Sequence, residues 1–336
     1  MGRPVRSELG KCVSAGGRLR VTDPRSGQVA APTRCTVSQD AILQRPKWFG
    51  AWEIGVKPIR KSTRLRRALR KGCVVMPGAF NALTARLVER CGFPAVYVSG
   101  AGLANATVGV PDIGLLTLSE VAQLAWYIAD AVRIPTLVDA DTGFGGPENV
   151  GRSVQVFERA GLAGMHLEDQ VFPKRCGHLA GKELVPVEEM TGKIRAAVRG
   201  RRDADFLIVA RTDARSVEGF EGAVARAHSY LKAGADAIFP EALETGREFR
   251  EFARQVRAPL LANMTEFGRG PLLSARQLAG IGYRMVIFPL TAFRVSMKAA
   301  ENCLRDLKRR GTQRDWLDRM QTRKELYDLL GYDPGK

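Results

Sequence analysis

Eight short apolar runs recur after residue 60, and they constrain the fold more than any other feature of the chain. They are Val74–Pro77, Ala95–Ser99, Thr136–Ala140, Met165–Glu168, Phe206–Ala210, Ala237–Pro240, Leu260–Asn263 and Met285–Pro289. Most are followed by a stretch of helical periodicity, as at Ser119–Val132, Glu148–Ala160, Glu188–Val198, Glu218–Ala233 and Glu244–Gln255. Ser119 and Pro147 suit helix starts, and Gly92, Gly161 and Gly234 suit helix ends. Continuous apolar strands alternating with helices imply a parallel sheet covered on both faces. Eight βα units over about 240 residues imply a closed (β/α)8 barrel. An open doubly wound sheet would have fewer strands and a phosphate-binding glycine loop, and no GxGxxG follows any of these runs. Thr312–Leu330 reads as further helix beyond the eighth unit. Helices outside a barrel often serve subunit contacts, so an oligomer is expected.

Residues 1–60 lack this regularity. They are rich in Arg, Gly, Pro, Ser and Thr and carry 11 Lys and Arg against 4 Asp and Glu. With no apolar core for a secretory signal, they read as a basic, disordered extension ahead of one domain at 61–336. The net charge of +17 raises nucleic acid as a partner. No basic segment is interleaved with aromatics, and no helix-turn-helix or RNA-binding signature is present, so a basic soluble surface is the simpler reading. No stretch approaches the roughly 18 apolar residues of a membrane span. Six cysteines (Cys12, Cys35, Cys73, Cys91, Cys176, Cys303) are scattered, with no CxxC pair. That pattern fits a reducing, cytoplasmic setting and not a disulfide scaffold.

In such a barrel the chemistry lies at the C-terminal ends of the strands, and those ends are polar here. They supply Tyr97 and Ser99-Gly100-Ala101, Asp139 and Asp141, Glu168, Arg211 and Asp213, Glu241, Asn263-Met264-Thr265-Glu266, and Thr291 with Arg294. Strand periodicity aims Asp139 and Asp141 to one face, and likewise Asn263 and Thr265. Carboxylates converging on one mouth repel unless a cation lies between them. Oxygen ligands without Cys or His pairs favour Mg²⁺ or Mn²⁺. Salt bridges alone could explain any one carboxylate but fit the whole set less well. Arg211 and Arg294 offer bidentate partners for substrate carboxylates. Together these features read as a site for a small polycarboxylate. His166 alternates with Glu168 and reads as support for the barrel interior, and His228 as an exposed helical residue.

After the fourth run, LEDQVFPKRCGH delivers Cys176 among Lys174, Arg175 and His178. A thiol ringed by cations should ionise more readily than usual, which suits proton transfer. An ordinary thiol in a surface loop is the alternative, and the polar strand ends oppose it.

KRCGH at 174–178, with VDADTGFGG, ARTDA, FPEA, NMTEFG and the late GTQ and MQTRKELY segments, resembles the isocitrate lyase and phosphoenolpyruvate mutase superfamily. Within it the chain looks like the methylisocitrate lyases. The resemblance covers about residues 62–332. It implies a last helix swapped between subunits, usually in a homotetramer. It implies Mg²⁺ on Asp139 and Asp141, with Glu168 and Asp112 in the outer shell. It also implies substrate contacts from Ser99, Gly100, Ala101, Cys176, Gly177, Arg211, Glu241, Asn263, Met264, Thr265, Arg294 and Arg323. Ala101 departs from the family's usual SGG and adds a methyl group near the backbone expected to contact product.

The implied reaction is cleavage of the C2–C3 bond of 2-methylisocitrate to pyruvate and succinate, a step of propionate catabolism through the methylcitrate cycle. A base takes the C2 hydroxyl proton and Cys176 protonates the succinate carbanion, with Lys174 and His178 balancing charge. The base is either Tyr97 or a metal-linked carboxylate. Isocitrate, a dimethylmalate-type acid and oxaloacetate are rival substrates. A non-catalytic basic scaffold is the rival of a different class, and the acidic and basic strand ends oppose it. Because residues 1–58 carry no periodic apolar face, removing them should leave the melting temperature nearly unchanged; calorimetry of the truncated chain tests this.

Overall fold

In the computed structural model, which describes residues 59–335, each apolar run is a strand. They are β1 (Val74–Ala79), β2 (Val96–Val98), β3 (Thr136–Asp139), β4 (Gly164–Glu168), β5 (Leu207–Thr212), β6 (Ala237–Pro240), β7 (Leu261–Asn263) and β8 (Met285–Phe288). All neighbours pair in parallel, in the order β6-β5-β4-β3-β2-β1-β8-β7. A parallel bridge between Ile238 and Leu260 joins the two ends. Among the described residues the sheet is thus an eight-stranded barrel. The basic extension lies outside the described residues, apart from Ile59 and Arg60.

Alternation along the strands divides the apolar side chains between two cores. Outward residues such as Val98, Val138, Met165, Ile208, Ile238 and Val286 pack under the helices. Inward residues such as Met76, Tyr97, Leu137, Leu207, Val209, Phe239, Leu261, Met285 and Ile287 fill the barrel. The same period of two extends the inward rows into the mouth. Leu137 leads to Asp139, His166 to Glu168, Val209 to Arg211, Phe239 to Glu241 and Leu261 to Asn263. All but the His166 row are apolar below, and each is polar at its C-terminal end, which sets a polar upper rim on a solid base.

The surrounding helices are α1 (Lys61–Lys71), α2 (Ala82–Arg90), α3 (Gly100–Gly102), α4 (Leu118–Asp130), α5 (Pro147–Arg159), α6 (Val187–Gly200), α7 (Gly219–Lys232), α8 (Gly246–Gln255), α9 (Ala275–Gly280), α10 (Thr291–Arg310) and α11 (Arg323–Leu330). The short α3 runs directly into a π-helix, Leu103–Val108. Pro147 opens α5 as expected, and Gly92, Gly161 and Gly234 take positive φ just past helix ends. α4 begins earlier than Ser119, because Thr117 and Glu120 form a reciprocal capping box.

Helix α1 was not anticipated. Its Leu65 and Leu69 join the barrel-interior core. Its polar side chains bond to the loops that precede strands: Ser62 to Asp203, Arg64 to the Arg133 carbonyl and Arg66 to the Asp205 carbonyl. It therefore plugs the N-terminal end of the barrel.

The reading of Thr312–Leu330 as further helix is corrected in part. Gly311, in the left-handed conformation, ends α10. A 3-10 segment follows at Arg314–Arg319, and a Thr322–Glu325 capping box starts α11.

Asp169, one residue past β4, ties the upper ends of β4 and β5 to α7. It accepts from Thr212 Oγ1 (2.7 Å), the Asp213 N–H (2.8 Å) and the Tyr230 hydroxyl (2.7 Å), all buried. Asp169→Ala should cost about 1–3 kcal/mol for each buried donor left without an acceptor, and Asp169→Asn should cost less. Urea unfolding of the two variants beside the parent measures both.

Candidate active site

Arg211 stands at the centre of the mouth. Its Nε donates to Asp213 Oδ2 (2.9 Å) and its Nη2 to Asp213 Oδ1 (3.2 Å). Its Nη1 lies 2.9 Å from Glu168 Oε2, and its Nε 3.8 Å from Glu241 Oε2. The guanidinium also lies over the Phe239 ring, 5.3 Å from its centroid. Burial works against the Glu241 carboxylate, but Arg211 and His178 more than offset this and hold its pKa down to about 2. Glu168 is different: burial outweighs Arg211 and pushes it well above the usual carboxylate range.

On the other side of the mouth, the Tyr97 hydroxyl donates to Asp139 Oδ2 (3.2 Å) and lies 2.8 Å from His166 Nε2. Burial, then Asp139, raises the Tyr97 pKa well above that of a free phenol, so it stays protonated. His166 is fully buried and stacks on Tyr97. It was read as structural support, yet it contacts both Tyr97 and Asp139. Its alternation with Glu168 was the available signal.

Asp139 and Asp141 converge, although not by strand alternation. β3 ends at Asp139, and Asp141 lies beyond it with φ 44°, its N–H donating to Asp139 Oδ1 (3.0 Å). An aspartate tolerates this left-handed backbone better than most residues do. The same correction applies to Thr265, which lies past the end of β7 at Asn263. Lys174 is buried between carboxylates, bonded to Asp112 and 2.9 Å from Asp141 Oδ1. Burial still raises Asp141 to about 6, against the pull of Lys174. Glu168 Oε1 is buried with neither a hydrogen-bond donor nor an ion-pair partner, whereas Asp141 Oδ1 faces Lys174 and Glu168 Oε2 faces Arg211. An unpartnered carboxylate oxygen in an all-oxygen donor set fits a hard divalent cation. Among the described residues no three acidic, His or Cys side chains gather closely enough to hold an ion by themselves. Mg²⁺ characteristically takes one or two carboxylates and completes its shell with water or substrate, so the Asp139–Asp141 pair suffices.

Residues 171–183 form the loop carrying Cys176. Its base is closed by pairing of Gln170 with Leu184 and of the Val171 N–H with the Glu183 carbonyl. Gln170 also clamps both backbone groups of Arg175 at 2.9 Å. Gly177 lies so close to the site that a β-carbon there would fall 2.5 Å from Arg211 Nη2 and 2.6 Å from Glu241 Cγ. Only glycine fits this approach. His178 Nδ1 accepts from the Arg269 N–H (3.1 Å), which leaves its proton on Nε2, 2.7 Å from Glu241 Oε1. The picture of a thiol ringed by cations is corrected: Lys174 and His178 turn to carboxylates, and Arg175 reaches the Ala180 carbonyl. Cys176 itself is half-buried.

Ser99 caps α3, its Oγ accepting from the Gly102 N–H (3.1 Å). Gly100 abuts Asp139, and the half-buried Ala101 follows in α3. Asn263 reaches Glu241 (3.3 Å), and Met264 is buried beside it. The phosphoenolpyruvate phosphomutase family profile matches residues 65–308. The chain belongs to the phosphoenolpyruvate mutase/isocitrate lyase family. A 2-methylisocitrate lyase from Aeropyrum pernix is 55% identical over 278 residues, covering 82% of this chain and 89% of its own. The solved structure of a 2,3-dimethylmalate lyase has a TM-score of 0.78 at 38% identity, covering 81% of this chain and 92% of that one. A phosphonopyruvate hydrolase solved with oxalate and Mg²⁺ has a TM-score of 0.74 at 34% identity, covering 81% and 95%.

Of the two further arginines expected in the site, neither pairs with the carboxylates around Arg211 among the described residues. Arg294, on α10, is 43% exposed at the rim, 3.6 Å from Glu266 Oε2 and over the Phe267 ring. Arg323 is exposed on the first turn of α11, a helix that packs against α2. Their distance from the strand ends in sequence hid this, because helix placement after β8 has no periodic signal. Sequence reasoning also missed Lys182, a buried cation 2.8 Å from Asp213 Oδ1.

Glu241 has a depressed pKa, so its ion pairing stabilises the fold fully above its ordinary value of 4.5 and is lost as pH falls toward 2. The stability gap between the parent and Glu241→Gln should therefore narrow as pH drops from neutrality through this window. Urea unfolding at stepped pH reads the gap, and one that stays constant would contradict the pairing.

Proposed function

We propose that this protein is a carbon–carbon lyase that cleaves 2-methylisocitrate to pyruvate and succinate. The observation that carries the proposal is the Cys176–Gly177 turn seated directly on Arg211 and Glu241, in a chain 55% identical to a 2-methylisocitrate lyase. In this reading Arg211 binds a substrate carboxylate, with Asn263, Thr265 and the Gly100 and Ala101 backbone as neutral partners. Asp139 and Asp141 would hold Mg²⁺, with Glu168 and Asp112 behind them. The ion, when bound, would withdraw electron density from the oxygens of the pyruvate half.

The proton inventory assigns the remaining roles. The C2 hydroxyl proton goes to a base as the C2–C3 bond breaks and its electron pair stays on C3. Tyr97, held protonated, suits hydrogen-bond donation better than deprotonation of substrate. Glu168, whose burial raises its proton affinity, suits the base. Cys176 delivers a proton to C3, giving succinate. Lys174 and His178 hold the surrounding carboxylates. Phe239 and Ile287 lie in the inward rows, and they would meet the substrate's extra methyl group.

An assembly of copies fits the outer helices. No residue of α10 is buried, and Val295, Met297 and Leu304 are more than half exposed. Exposed apolar surface of this kind marks association, and we read it as a homotetramer with exchanged C-terminal helices. No described helix is long and apolar enough to cross a membrane. By its likeness to 2-methylisocitrate lyases we read the protein as a cytoplasmic enzyme of the methylcitrate cycle.

The deciding assay offers 2-methylisocitrate, isocitrate, 2,3-dimethylmalate and oxaloacetate in parallel with Mg²⁺ and identifies the products. The highest kcat/KM is expected for 2-methylisocitrate. Equal or faster cleavage of another acid would reassign the substrate. Cys176→Ser should lose about 10²–10⁴-fold in turnover, the range of a positioned proton donor, while keeping substrate binding. EDTA should silence the parent, and Mg²⁺ or Mn²⁺ should restore it; full activity in metal-free buffer would contradict the metal assignment.

A further inference from the structure

Lys182 is a buried cation beside the mouth to which the reaction assigns no task. Its side chain is 1% exposed, and its Nζ donates both to the Gly177 carbonyl and to Asp213 Oδ1, the latter at 2.8 Å. Asp213 is the carboxylate that orients Arg211 through two hydrogen bonds, and its own N–H is fixed by Asp169. One ammonium thus touches the backbone of the Cys176 loop and the partner of the central arginine.

We propose that Lys182 is a positioning residue that clamps the Cys176 loop in its closed seat and ties that seat to the orientation of Arg211. The inference rests on the lyase reading for its consequence in turnover, but the clamp itself is independent of substrate. Three observations support it. The Gly177 carbonyl is held at the point where the loop presses on Arg211 and Glu241, where not even a β-carbon fits. The loop's base is closed by Gln170, Val171 and Glu183, so only the tip is free to lift. Its other tip anchors, Lys174 and His178, face different carboxylates, Asp112 with Asp141 and Glu241. Lys182 alone joins the tip to Asp213. A buried ammonium facing a buried carboxylate cannot let go cheaply, because each would be left unpaired. The loop is therefore biased shut before substrate arrives.

The test labels the full-length protein with iodoacetamide and follows Cys176 and the exposed Cys91 by peptide mass spectrometry. Lys182→Met keeps the chain length and removes the charge. Loss of a charged hydrogen bond should shift the loop toward its open form by about tenfold to a hundredfold. Cys176 should alkylate faster by a comparable factor, with Cys91 unchanged. Turnover at saturating substrate should fall in parallel. Parent-like labelling of Cys176 would overturn the clamp, and so would equal acceleration at Cys91, which would signal general loosening. If Lys182→Met does not fold, Asp213→Asn removes the facing charge without shortening the side chain. It should expose Cys176 with the same selectivity, and a parent-like rate there would again overturn the proposal. Because labelling needs no turnover, a parent that cleaves none of the acids but shows this selective exposure would refute the lyase reading and leave the clamp standing.

Discussion

Arg211 is the charge on which the mouth of the barrel depends. Glu168, Asp213 and Glu241 come from three different strand ends and would repel one another across a low-dielectric site. The guanidinium meets all three, with its plane laid over Phe239. Its delocalised charge and forked donors suit this better than an ammonium would. The consequences differ by neighbour. Glu241 is held ionised, whereas Glu168, buried more completely than it is compensated, retains affinity for a proton. One cation therefore sits between two carboxylates of different proton affinity, a contrast set by how far each is buried and compensated.

Charge also explains how a loop is folded onto the site. Lys174, His178 and Lys182 each leave the Cys176 segment to meet a carboxylate rooted elsewhere. The expected cluster of cations around one thiol is replaced by spokes running outward. Such an arrangement fixes the position of Cys176 through its neighbours, and the thiol is left half-buried.

Much of this was legible in the sequence because a strand's period of two carries side chains to one face without reference to the rest of the fold. Leu137 before Asp139, Val209 before Arg211 and Phe239 before Glu241 show their placement locally. The barrel itself followed from counting such runs. What could not be read depends on pairs far apart in the chain. Lys182 meets Asp213 across 31 positions, and Ser62 meets Asp203 across 141. Helix α1 has a modest apolar stripe, Leu65 and Leu69, which gives no hint that it belongs under a barrel and not beside one. Arg294 was placed at the site as a strand-end residue and Arg323 by resemblance alone, and in the single chain Arg294 pairs with Glu266 and not with the carboxylates around Arg211.

The plug formed by α1 has a consequence for traffic. Leu65 and Leu69 below, and the filled inward rows above them, leave the barrel open at one end only. Whatever is split there must leave by the door through which it entered. A dead-end chamber thereby gives everything that binds in it a single route in and out, so occupants must exchange through the same opening.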